Sequence, residues 1–139
     1  MFSAVVLAAG LATTTVRAPK ADLTLQVART ATEREYGLMN RTRIEPHTGM
    51  IFVFTDDGPI AFWMKNTRVP LDMIFIAADG MVRRIFANVA VVDVNLSDDA
   101  IPREAGVAKY VIELPAGEAA RDGIVRGLKL DLRDVPPPQ

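Results

Sequence analysis

The clearest period-two segment of the chain is Asp22-Leu23-Thr24-Leu25-Gln26-Val27-Ala28. It puts Leu23, Leu25 and Val27 on one face and predicts a half-buried strand. Thr30 and Thr32 are followed at capping-box spacing by Glu33 and Glu35, so a short helix should run to about Tyr36 and stop at Gly37. Leu38 to Thr48 is polar and irregular, a loop. Gly49 to Phe54 predicts an apolar strand, Thr55-Asp56-Asp57-Gly58-Pro59 a turn, and Ile60 to Met64 a second strand closing a hairpin. Leu71 to Ala77 predicts a strand that turns at Asp79-Gly80, a strong hairpin signal, into a partner covering Val82 to Phe86 or beyond. Asp93 to Gly106 is a long polar connection. Val107 to Leu114 predicts a further strand, Glu118 to Asp122 one helical turn stopped by Gly123, and Leu128-Lys129-Leu130-Asp131-Leu132 a closing strand.

Strands outnumber helices and are joined mostly by short turns. No strand–helix–strand alternation with a Gly-rich phosphate loop is present. The expected fold is therefore mainly β, an antiparallel barrel or jelly-roll-like sandwich with two short helices. At 139 residues the chain holds one domain, placed at 21–134, with 135–139 a frayed tail. Residues 1–20 read as a signal-peptide remnant and linker. The apolar run Phe2 to Ala12 is too short to span a bilayer as a helix but fits a signal h-region. No Lys or Arg precedes it, Val16-Arg17-Ala18 is the nearest approach to a processing site, and Thr13 to Lys20 would follow as linker. The alternative is an N-terminal strand or helix packed on the domain. Export predicts a periplasmic or secreted protein with no stable membrane span in the mature domain; without a signal the protein is cytoplasmic.

Composition removes several chemistries. Sixteen Lys and Arg against seventeen Asp and Glu, interspersed, give a net charge of −1 and no basic face for nucleic acid or an anionic membrane. The absence of cysteine excludes disulfides, thiol nucleophiles, thiolate zinc and iron–sulfur clusters. One histidine, His47, cannot build a multi-histidine metal site, and neither Ser3 nor Ser97 lies in a Gly-x-Ser-x-Gly context. No cofactor and no metal is expected.

The segment Ile60-Ala61-Phe62-Trp63-Met64-Lys65-Asn66-Thr67-Arg68-Val69-Pro70-Leu71-Asp72 stands apart. It holds the single Trp and sets an amide, cations and a carboxylate among apolar residues. Alternation from Leu71 to Ile76 places Asp72 on the face of Ile74 and Ile76, so a buried Asp72 must be hydrogen-bonded or protonated. The nearest partners are the backbone of the Asn66–Val69 turn, the Asn66 amide or Arg68. Asn66 and Asp72 then either tie down a connection between strands or supply the polar groups of a small-ligand pocket. Trp63 alternates away from Phe62 and Met64. Facing outward beside Lys65, it would stack on a ligand or anchor a partner; otherwise it covers the core edge with Lys65 or Arg68 laid over it. Met39, Met50 and Met64 suit soft-metal binding in principle, but no Met-x-Met or Met-x-x-Met cluster occurs and core filling is the plainer role.

Five motifs in order, with Gly127, resemble the domain of unknown function 192 family of small bacterial and archaeal proteins. They are Gly37-Leu38-Met39, Gly49-Met50-Ile51-Phe52, Phe62-Trp63-Met64-Lys65-Asn66-Thr67, Pro70-Leu71-Asp72 and Glu113-Leu114-Pro115-Ala116-Gly117, covering about Leu23 to Leu132. The resemblance implies a β-rich, jelly-roll-like or barrel-like fold and, for many members, an export signal. It implies no established activity, catalytic residue or cofactor, and His47 lies outside the pattern.

The expected function is a non-enzymatic, exported β domain binding an unknown small molecule or protein through Trp63, Asn66 and Asp72, with Lys65, Met39, Met50 and Met64 nearby. Two alternatives stand beside it. One is a small hydrolase using Asp72 with Asp57 or Glu113 as a second carboxylate. The other is a structural or interaction module in which Asn66 and Asp72 only fix a turn.

Overall fold

The protein is described by a computed structural model covering residues 10–139. Six strands, β1 (Ala12–Arg17), β2 (Asp22–Ala28), β3 (Thr48–Trp63), β4 (Leu71–Ile76), β5 (Val82–Val89) and β6 (Arg103–Pro115), form one sheet in the order β1-β2-β3-β6-β4-β5. Among the described residues these strands are accompanied by two short helices, α1 (Ala31–Tyr36) and α2 (Glu118–Arg121), and a 3-10 turn at Asp98–Ala100. The mainly β fold with two short helices agrees with expectation. The sheet is mixed rather than fully antiparallel, because β2 and β3 run parallel. A parallel neighbour needs a long crossover, which α1 and the loop after it provide. The sheet is open, with β1 and β5 as its edges, so it is not a closed barrel.

Local signals explain much of this. Leu23, Leu25 and Val27 of β2 are fully buried, as their alternation demands. Helix α1 starts on a complete capping box: the Thr30 hydroxyl accepts from Glu33 N at 3.1 Å, and Glu33 Oε1 accepts from Thr30 N at 3.1 Å. The β4–β5 hairpin turns at Gly80, whose φ of +93° suits glycine and where a Cβ would lie 2.1 Å from the Leu130 carbonyl oxygen.

The sheet is covered on both faces. Ile51, Val53, Ile74, Ile76, Ile112 and Leu114 pack on one side with Ala119, Ile124, Leu130 and Leu132 of the C-terminal segment. Met50, Phe52, Leu71, Met73, Phe75 and Val111 pack on the other with Leu38 and Met64. Every residue of β4 is consequently buried, and its alternation sorts residues between two cores rather than between core and water.

Three expectations are corrected. The predicted hairpin from Gly49 to Met64 is a single strand, β3, both halves of which pair with β6. The turn-like residues form a bulge between Val53 and Gly58, where Lys109 Nζ donates to the Phe54 and Thr55 carbonyls at 2.6 and 3.0 Å. An ammonium satisfying the bulged carbonyls removes the need to turn. Leu128 to Leu132 is not a strand but holds a lone bridge, Met81 to Lys129, along the β5 edge. Its alternation marked burial correctly, since Leu130 and Leu132 face the core. Residues 13–17, expected within the linker, form β1 with Ala12 and pair with β2, with Val16 in the core. A cut after Ala18 would remove that strand. The signal reading of Phe2 to Ala12 falls mostly outside the described residues.

Candidate functional site

Asp72 sits in β4 opposite Leu114 of β6 and is 1% exposed. Its carboxylate accepts three backbone hydrogen bonds: Oδ1 from Asn88 N at 2.9 Å and Gly117 N at 3.1 Å, Oδ2 from Ala119 N at 2.9 Å. None comes from the neighbouring Asn66–Val69 turn, Asn66 or Arg68. The donors lie far away in sequence, at a bulge of β5 and in the turn entering α2. Residues 87 and 88 intrude between the Leu71–Val89 and Met73–Phe86 pairs, and Asn88 takes a left-handed φ of +55°. The carboxylate thus fills the gap left by an irregular strand on one side and a tight turn on the other. It lines none of the hollows described below, and its two oxygens are spent on backbone.

The other face carries a hollow of about 220 Å³ between α1 and the second half of β3. Tyr36, Leu38, Met39, Phe54, Phe62, Trp63 and Lys65 are among its walls, and Glu113 of β6 reaches it. The aromatic wall is braced edge-to-face, with Phe62 centroids 4.8 Å from Phe52, 6.1 Å from Phe54 and 5.8 Å from Phe75. Arg34 is fixed as a side wall, Nη1 donating to the Arg29 and Val53 carbonyls at 2.7 and 3.0 Å. Glu113 pairs across the sheet with Met50 and Met73, is 4% exposed, and its carboxyl has no hydrogen-bond partner among the described residues. Burial between two thioethers pushes it up from 4.5 to about 8, so at neutral pH it stands as a carboxylic acid with an O–H to donate.

The expected site residues are only partly united. Met39, Trp63 and Lys65 line this hollow, and Asn66 lines a shallow neighbour with Met39 and Lys65. The Trp63 ring is half-buried under two cations, Lys65 Nζ at 5.1 Å and Arg103 Cζ at 4.5 Å from its centroid. Arg68 does not take that role. Lys65 is also paired with Asp98 at 3.0 Å. Asn66 has a left-handed φ of +52°, its carbonyl accepts from Asn40 N at 2.8 Å, and its exposed amide makes no hydrogen bond among the described residues. Met50 and Met64 are buried in the core of this face.

The carboxylate pairs proposed for hydrolysis are not assembled. Asp72 pairs with Leu114 and Glu113 with Met73, which sets the two acids on opposite faces of the sheet. Asp57 is engaged by Arg83 and by Ala78 N at 3.1 Å, and the Arg83 hydrogen bond holds its carboxyl below the usual range. Glu113 was named from sequence only as a second carboxylate. The sign of its role is its position two residues after Val111, on the inward side of an apolar strand.

Two outcomes follow. Asp72→Ala leaves three backbone donors without their acceptor and should lower unfolding stability by about 3 kcal/mol or more in urea titration, at about 1–3 kcal/mol for each donor left unmade in a buried site. For Glu113, the unfolded chain loses its proton near 4.5 and the folded chain near 8, so between those values stability falls as pH rises, and above about 8 the loss is complete. Glu113→Gln should remove a slope of up to about 1.4 kcal/mol per pH unit, read as a rising stability difference in favour of the variant across that window.

The family model for domain of unknown function 192, described as an uncharacterized ACR, matches residues 12–132. A solved structure from Sinorhizobium meliloti 1021, described as a candidate transcription regulator, is 39% identical and superposes with a TM-score of 0.74, covering 87% of this chain and 94% of that one. A protein of unknown function from Novosphingobium aromaticivorans DSM 12444 is 34% identical, with a TM-score of 0.72 over 87% of this chain and 84% of that one. No curated protein matches. The chain belongs to the domain of unknown function 192 family, an uncharacterised family.

Proposed function

We propose that the domain is a non-enzymatic binder of a small molecule, held in the hollow beside Trp63 with the Glu113 carboxylic acid as its polar anchor. The observation that carries this reading is a buried carboxyl left without a hydrogen-bond partner among the described residues where a hollow reaches it. The carboxyl opens onto the hollow, so a ligand oxygen placed there would accept its O–H in place of water. The walls favour a flat apolar body against Phe54, Phe62 and Trp63. Lys65 and Asn66 stand at the rim, and Met39 between the two hollows. At about 220 Å³ the space is smaller than the ~300–1,000 Å³ of drug-sized pockets, so the ligand is fragment-sized.

Asp72 belongs to the scaffold of this site, not to its lining. The apolar N-terminal run supports export, and with it a periplasmic or secreted ligand. The description of the Sinorhizobium relative suggests a regulator, but the interspersed charge and net −1 of this chain favour a small molecule over nucleic acid.

The test is a fragment screen by NMR on wild type, following the single Trp indole and the amides of Met39 and Lys65. Binders carrying a carbonyl or hydroxyl should shift these signals together. Glu113→Leu should weaken them about tenfold or more while keeping the apo fold, since an apolar residue replaces an unbonded acid. Hits that ignore this substitution, or cluster elsewhere, would overturn the assignment.

A further inference from the structure

On the face away from the hollow, the turn before β3 meets α2. His47 takes a left-handed φ of +60°, a conformation uncommon outside glycine. It is held there by its backbone: its N–H donates to Glu118 Oε1 at 3.2 Å and its carbonyl accepts from Thr24 N at 2.9 Å. The imposed conformation aims the ring at two acids. His47 Nδ1 lies 3.3 Å from Glu118 Oε2 and 3.0 Å from Asp122 Oδ1. Both acids are 1% exposed, whereas the His47 side chain is 51% exposed, so the cluster is buried beneath and open above.

The second observation concerns the acids themselves. Glu118 Oε2 and both oxygens of Asp122 are buried and accept no hydrogen bond among the described residues. The His47 nitrogen is close to them but not aligned as a donor. Arg121 reaches the other Glu118 oxygen, at 3.8 Å, and neither of the unbonded Asp122 oxygens. Buried acid oxygens are ordinarily bonded, and two acids side by side repel when both are charged. A cation placed among them would resolve both problems.

The spacing fits a specific cation chemistry. Ligands about 2.0–2.2 Å from a metal lie about 3.0–3.5 Å from one another in octahedral or tetrahedral geometry. The Nδ1–oxygen separations of 3.0 and 3.3 Å are edges of that size, and one donor atom from each of the three residues fits within 4.8 Å of the others. An imidazole nitrogen with two carboxylates favours zinc or manganese over calcium and magnesium, which prefer all-oxygen shells. The acids are also prepositioned: Asp72 pins the amides on either side of Glu118, and the Asp122 carbonyl accepts from Lys20 N at 3.0 Å. We propose that His47, Glu118 and Asp122 bind one divalent transition cation, of the zinc or manganese class, with water completing its shell on the exposed side. Sequence reading missed the site because one histidine precluded a multi-histidine centre, and the acids come from a helical turn 71 residues further along.

The experiment uses tag-free full-length protein stripped with chelator and titrated with ZnCl₂, MnCl₂ or CaCl₂ by calorimetry. The imidazole resonance is followed in parallel, unambiguous because the chain has one histidine. The expected result is one zinc per chain, a shift of that resonance, and a melting temperature that rises with zinc. His47→Gly, which tolerates the left-handed backbone, and Asp122→Asn should each weaken zinc at least tenfold. Asp122→Asn should melt no lower than wild type without metal, because it removes a buried acid lacking a donor. The proposal is overturned by no saturable zinc or manganese binding up to millimolar metal, by His47→Gly binding as wild type does, or by calcium binding as tightly as zinc.

Discussion

The Asp72 carboxylate is the contact on which the arrangement of this domain turns. Its two oxygens draw together a β5 bulge and the turn that launches α2. Neither segment could bond its own amides regularly. Asn88 is pushed out of register, and Gly117 has a left-handed φ of +87°. A carboxylate is the side chain that satisfies several donors without bringing one of its own. Pro70 before β4 removes an amide at its entry, and the Ala116 N–H donates to the Pro70 carbonyl at 3.1 Å, holding the same turn from the strand side.

Buried acids in this chain take different roles, and donors decide which. Asp72 has its backbone amides and acts as a clamp. Glu113, one residue away in cross-strand register but on the other face, has two methionines and a hollow, and stays protonated at neutral pH. Glu118 and Asp122 have each other and an imidazole. Burial, and then Glu118 beside it, raise the Asp122 carboxyl above its ordinary value, against the pull of His47. Covering the sheet on both sides makes this division possible, because alternation along β4 and β6 sends successive residues into separate environments.

Much of this was legible in the sequence. The capping box at Thr30, the Asp79-Gly80 hairpin and the placement of Asp72 on the isoleucine face follow from local pattern and appear in the structure, whereas local pattern does not say that this face is buried at Asp72. What failed to show was set by partners distant in sequence. The Asp57-Gly58-Pro59 turn signal was overridden by Lys109, on a strand some fifty residues later, which bonds the bulged carbonyls. The donors to Asp72 were sought nearby and come from 16 to 47 residues away. Trp63, Lys65 and Met39 line one hollow, and Asp72 does not join them. Sequence offers Glu113 only as a second carboxylate and not as a buried acid, because a glutamate near a strand end ordinarily points to water.

The most direct test of the clamp is amide hydrogen exchange in wild type and Asp72→Asn, which keeps the volume but loses the charge and one acceptor. Exchange should accelerate selectively at Asn88, Gly117 and Ala119, whose N–H groups Asp72 accepts. The β2–β3 amides on the far side of the sheet should keep their protection. Unchanged protection at those three amides, or uniform loss over the whole sheet, would contradict a local backbone clamp at Asp72.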